Sequence, residues 1–143
     1  MRTLLTILMF FVFLTPTPAI STDEGRLALV TSNLADNETL DIKAIRKLYL
    51  GFASQSQIPL VAIVNLSDEQ LYQSFLQRVM YMSAKKFRRL SVSMFYRRGG
   101  QLTQNISDSD ALIEKQKQGN RVVSFIWAKD IKRYPDLKVI KIL

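Results

Sequence analysis

A chain of 143 residues with a net charge of +8 at pH 7 and 48% hydrophobic residues is long enough for one sizeable core and too short for two. It holds no cysteine and no histidine, which excludes disulfide bracing, thiol or imidazole catalysis, and the usual Cys/His metal sites. Stability must therefore come from apolar packing, no cofactor is expected, and the carboxylates that remain show no paired spacing of a catalytic kind.

The first element is a leader. Met1 and Arg2 provide positive charge, and Leu4 to Leu14 form an apolar run interrupted by Thr6. Pro16, Pro18, Ala19 and Ser21 follow. This charged, apolar and small-residue order is that of a secretory signal peptide, and the run is shorter than the roughly 20 residues a spanning helix needs. Residues 1–21 are expected to be removed by cleavage after Ala19 or after Ser21. That leaves residues 22–143 as a single domain, less basic by Arg2 alone than the whole chain.

Arg26 to Ser32 reads as a short strand. Leu40 to Gly51 places Ile42, Ile45, Leu48 and Tyr49 on one side and Lys43, Arg46 and Lys47 on the other, the pattern of an amphipathic helix ending at glycine. Ile58 to Val64 is an apolar, β-rich run that suits a buried strand. Ser67, three residues before Gln70, has the spacing of a capping box and opens a helix through Met80. A second helix is expected from Ser83 to Arg98, burying Phe87, Leu90, Met94 and Phe95 and stopped by Gly99 and Gly100. Ser107 with Asp110 opens a third, which Gly119 ends. Val122 to Trp127 and Leu137 to Leu143 read as strands, with a turn at Tyr134-Pro135-Asp136. The order β-α-β-α-α-α-β-β predicts an α/β domain, a mixed sheet flanked by helices, with parallel pairing in its first half.

Several of these segments carry a resemblance. Val30-Thr31-Ser32-Asn33, then Leu40-Asp41 leading into Ile45-Arg46-Lys47-Leu48-Tyr49-Leu50-Gly51, resembles the opening of small phosphate ABC transporter substrate-binding-like proteins. Phe75 to Met80, Gly99-Gly100, Ser107 to Ile113 and Gly119 to Ile126 are similar to that family's later motifs. The resemblance implies a shortened domain of the type II periplasmic-binding-protein superfamily, exported to a bacterial periplasm. It also implies phosphate as ligand, and here the residues depart from the pattern. Where the family carries Ser-Gly-Thr at a helix start, this chain has Asn65-Leu66-Ser67-Asp68-Glu69, whose carboxylates repel an anion. The family's tryptophan after Leu-Gly is replaced by Phe52, and its Gly-Tyr near the end by Ser124-Phe125.

Two sets of residues are candidates for binding. Thr31, Ser32 and Asn33 end the first strand, where open α/β sheets place ligands, and could hold an oxyanion; they also suit an ordinary polar turn. Ser67 is either a helix cap or a ligand contact. Lys86, Arg89 and Arg97 recur on one helix face, with Lys85, Arg88 and Arg98 beside them. They form either a solvated polar face or a docking patch for an anionic partner such as lipid headgroups. Nucleic acid is not expected as a partner, because the leader directs the chain away from it and the patch lacks interleaved aromatic residues.

The expected function is a periplasmic, non-enzymatic solute-binding-like domain with weak affinity for a small oxyanion such as phosphate. The alternative is an envelope interaction protein using its basic helix. Mass spectrometry of exported protein should show a chain beginning at Ile20 or Thr22. An intact Met1 terminus in the membrane fraction refutes the leader assignment.

Overall fold

The computed structural model describes residues 25–33, 40–52, 60–99, 103–108, 110–118 and 121–143. The leader expected over 1–21 and the glycines expected to stop helices at Gly100 and Gly119 lie outside the described residues. Five strands form one mixed sheet: β1 (Leu27–Thr31), β2 (Leu60–Asn65), β3 (Gln104–Ile106), β4 (Arg121–Trp127) and β5 (Lys138–Ile142). The four α-helices are α1 (Ile42–Tyr49), α2 (Glu69–Phe75), α3 (Ala84–Arg98) and α4 (Asp110–Lys117). A π-helical segment, Leu76–Met80, continues α2 without a break, and a 3-10 stretch, Ala128–Arg133, follows β4.

The sheet order is β3-β2-β4-β1-β5. β2 pairs parallel with both β3 and β4, whereas β1 is antiparallel to β4 and to β5. This corrects the expected parallel pairing in the first half. β1 and β2 are not neighbours, because β4, seven residues long and buried at all but Trp127, lies between them with an apolar face on each side. Periodicity identifies a strand but does not choose its neighbour or direction. β3 escaped the sequence reading because it is three residues long and exposes Gln104 and Asn105.

Alternation along the strands divides the core in two. Leu27, Leu29, Ala62, Val64, Val123 and Phe125 face α1, α2, the π-helical segment and Phe87 of α3. Ala28, Val30, Ile63, Val122 and Ile126 face Leu112 of α4 together with Tyr134 and Leu137. The central strands are therefore apolar on both faces, as a sheet sandwiched between two layers requires. β5 closes one edge, with Lys138 and Lys141 exposed along it, charges of the kind that discourage edge-to-edge pairing.

The first layer is organised around Phe75. Its ring stacks on Phe125 at a centroid distance of 4.0 Å and lies 4.7 Å from Tyr49 and 6.4 Å from Phe87. The buried Tyr49 hydroxyl reaches the carbonyl oxygens of Ile63 at 3.0 Å and Val123 at 3.2 Å, tying α1 to β2 and β4. Arg46 of α1 donates through Nε to the Val79 carbonyl and places its guanidinium 4.4 Å over the Tyr81 ring. Tyr81 itself ends the π-helical segment at a φ of 54°, a left-handed conformation that a bulky residue adopts only when its surroundings hold it.

α3 departs from expectation. Phe87 is buried, but Leu90 and Met94 are half-buried and Phe95 is exposed. The helix rests on the domain by its first turns.

Phe75→Ala should lower the unfolding free energy by about 3–5 kcal/mol, the range for a deleted core phenylalanine, as measured by denaturant titration. Burial pushes the Tyr49 phenol well above its ordinary value, opposed by its contact with Ser124. The unfolded chain then ionises first, so stability is intact below about pH 10 and declines as pH rises beyond it. Tyr49→Phe should cost about 1 kcal/mol at pH 7 and flatten that alkaline decline.

Candidate functional site

The parallel strands β2, β3 and β4 end on the same side of the sheet, and their carboxyl ends open into a cleft of about 430 Å³. Asn65 ends β2, Ser107 and Asp108 follow β3, and Ile126 and Trp127 close β4. The opening of α2 contributes Ser67 and Asp68, the start of α4 contributes Asp110, and the 3-10 stretch contributes Asp130 and Arg133. Open sheets place ligands outside the carboxyl ends of parallel strands for a geometric reason. The helices that follow those strands diverge there and leave backbone groups facing a crevice.

Asn65 is buried, and its amide organises the floor. Nδ2 donates to the Phe125 carbonyl at 3.2 Å, and Oδ1 accepts from the Ser67 backbone N–H at 3.1 Å and the Ser67 hydroxyl at 2.7 Å. Asp68, not Ser67, caps α2. Its Oδ1 accepts from the backbone N–H groups of Gln70 and Leu71, and its Oδ2 accepts from the Trp127 indole N–H at 2.8 Å. The cap expected at Ser67 thus falls one residue later, where Leu71 replaces the Gln70 of the expected capping box. The serine hydroxyl is turned toward Asn65, where it meets a buried acceptor. The Trp127 hydrogen bond is the main reason that the Asp68 carboxyl lies below its usual value. Burial opposes this, and the Leu71 and Gln70 amides and the Lys129 charge add to it.

The cleft is predominantly acidic. Asp68, Asp108, Asp110 and Asp130 line it against Arg133, whose guanidinium lies 3.9 Å from Asp130. Such a field raises the local concentration of cations and disfavours anions. Among the described residues no group of three or more carboxylates is placed to hold a metal ion.

Thr31, Ser32 and Asn33 are not part of this cleft. Because β1 runs against β4, its carboxyl end lies beside the start of β4, at the opposite end of the strands from the cleft. The Thr31 hydroxyl donates to the Val122 carbonyl at 2.9 Å. Ser32 continues the ladder, its N–H donating to the Val122 carbonyl at 3.0 Å and its Oγ accepting from the Val122 N–H at 3.1 Å. Asn33 takes a left-handed turn conformation with a φ of 53°, which asparagine tolerates better than most residues. Of the four ligand candidates, the structure brings only Ser67 to the cleft. Lys86, Arg89 and Arg97 are exposed on α3.

The sequence reading missed Asn65, Trp127, Asp108, Asp130 and Arg133 as a group. The one usable signal was Trp127, the single tryptophan of the chain, at the end of a buried strand. Comparison with protein-family models and with curated proteins finds no match.

Asp68→Ala should cost about 1 kcal/mol of stability, the usual loss for a helix cap, and Ser67→Ala less. The depressed carboxyl contributes stability above the ordinary carboxylate range, near pH 4, and loses it as pH falls through its folded value. The fluorescence of Trp127 should change over the same acidic interval in the native protein and stay constant there in Asp68→Asn.

Proposed function

We propose that this chain is an exported, non-enzymatic solute-binding domain of the type II periplasmic-binding-protein kind, reduced to a single lobe, with its ligand cleft at the shared carboxyl end of β2, β3 and β4. The position of that cleft carries the reading, since it is where a parallel sheet offers a crevice for a small molecule. The motifs shared with phosphate-receptor-like proteins, the apolar leader and a mixed sheet covered by helices on both faces support it.

Phosphate is a poor ligand for this site. Four aspartates line the cleft, and Arg133 is the one basic residue among its described lining residues. Coulomb repulsion at such separations is worth on the order of 1 kcal/mol per charge near water. A single lobe also leaves much of the ligand uncovered, whereas tight small-molecule sites bury most of it. Weak oxyanion binding, centred on Arg133, follows from both. No enzymatic step is assigned, because the Ser67 hydroxyl donates to the Asn65 amide oxygen and the chain holds no cysteine or histidine to act as nucleophile or base.

Isothermal titration should give a phosphate dissociation constant no tighter than about 1 mM. Neutralising the wall with Asp108→Asn and Asp130→Asn should tighten binding by about 3–10-fold, and Arg133→Ala should remove it. Submicromolar phosphate binding unaffected by these changes overturns the placement of the site. Absence of oxyanion binding even in the neutralised variant overturns the oxyanion assignment.

A further inference from the structure

The surface of α3 is unlike that of a helix that serves only to cover a core. Among its described side chains Phe87 alone is buried, while Val92, Phe95 and Tyr96 are 42%, 37% and 80% exposed. Phe95 and Tyr96 touch edge-to-face at 5.4 Å, so the apolar groups form a cluster and are not scattered. Residues 84–98 hold six lysines and arginines and no acid. The exposure of Phe95 and Tyr96 also corrects the expectation that the basic face lacks aromatic residues.

The spacing orders these groups. At 3.6 residues per turn, Lys85, Arg89, Val92 and Tyr96 fall within about 60° of one another, with Arg88 and Phe95 immediately beside them. The stripe runs about 17 Å along the axis, cationic in its first half and aromatic or aliphatic in its second. Lys86 and Arg97 stand on the adjoining stripe, so cations border the apolar cluster. We propose that α3 is an interfacial helix that docks the protein on anionic phospholipid surfaces. Lys85, Arg88 and Arg89 meet headgroup phosphates, and Val92, Phe95 and Tyr96 enter the boundary with the acyl chains.

The chemistry selects lipid over other anionic partners. Long basic side chains beside an apolar cluster can reach upward to phosphates while their neighbours descend, the arrangement of helices that lie in a bilayer interface. The depth such helices reach, about 5–10 Å, matches the projection of a phenylalanine or tyrosine side chain. An acidic protein would answer the positive charge of α3, but the exposed Val92, Phe95 and Tyr96 beside it fit the apolar boundary that a bilayer places just below its phosphates. A single-stranded nucleic acid needs ring faces at successive steps, and Val92 offers none. No helix among the described residues is long and apolar enough to cross a membrane, so the contact is made on the surface.

The absence of cysteine permits a site-specific test that is insensitive to how residues 1–24 behave. The full chain carrying Tyr96→Cys, labelled there with an environment-sensitive fluorophore, is titrated with vesicles of phosphatidylcholine alone or with 30% phosphatidylglycerol. The label should brighten and shift to the blue with anionic vesicles only, and the signal should reverse as salt is raised, because screening shortens the range of the surface potential. Adding Lys85→Glu, Arg88→Glu and Arg89→Glu should weaken binding by about 100-fold or more, given roughly 1 kcal/mol per basic residue at such a surface. Val92→Ser with Phe95→Ser should weaken it while keeping the salt dependence. If the charge-reversed chain does not fold, the salt titration of the labelled parent decides alone. A silent label, an equal response to neutral vesicles, or persistence of binding after charge reversal overturns the proposal. So does tighter binding to polyglutamate or to single-stranded DNA than to the anionic vesicles.

Discussion

Four rings, one each from α1, α2, α3 and β4, meet around Phe75, and the helical layer of the domain depends on that meeting. With no disulfide available, nothing covalent holds the helices to the sheet. Phe75 stacks flat on Phe125 of the central strand, and stacked aromatic pairs add about 0.5–1.5 kcal/mol beyond the area they bury. The Tyr49 hydroxyl then spans two neighbouring strands, so the same cluster also registers α1 against the sheet. Phe87 is the one buried side chain among those described in α3. Leu90 and Met94 are half-buried beyond it, and the opposite side of the helix is turned toward solvent.

The helix α2 begins where β2 ends, and Asp68 stitches that junction to Trp127 at the end of β4. The cleft is therefore built from strand ends whose positions the sheet sets, with polar groups already engaged in its floor. The carboxylates that disfavour phosphate there also perform structural work as caps, Asp68 on α2 and Asp108 on the Asp110 N–H. Removing Asp68 or Asp108 to favour an anion would also give up carboxylates that hold the helix starts. α3 carries the opposite sign and packs through Phe87 in the same layer as α2. A chain that is strongly basic overall thus has an acidic crevice and a cationic helix as separate features.

Much of the fold was legible because local rules decide it. The strands at β1, β2, β4 and β5 and all four helices lie within a few residues of where apolar periodicity, caps and glycines put them. Asp41 caps α1, and Ser83 caps α3 through the Lys86 N–H, as short polar side chains before an apolar-periodic run should. β3 was invisible because a three-residue edge strand with two polar residues has no period to detect. The Ser67 assignment failed for a related reason. Ser67 and Asp68 both have cap chemistry, and only the presence of the buried Asn65 Oδ1 beside Ser67 decides which one serves.

What the amino-acid sequence determined alone is the type of each element, the two-sided apolar character of the central strands and the single sign of charge on α3, since each depends on residues near in the chain. Tertiary structure decided the direction of β1. It lies antiparallel on β4, and that choice put Thr31, Ser32 and Asn33 at the end of the strands opposite the cleft and left Ser67 as the one anticipated ligand candidate within it. Strand pairing joins residues about ninety positions apart, as where the Ser32 N–H donates to the Val122 carbonyl, through backbone groups that nearly every residue carries. No side-chain pattern encodes such a partner, so the location of the site waits on the packing of the whole sheet.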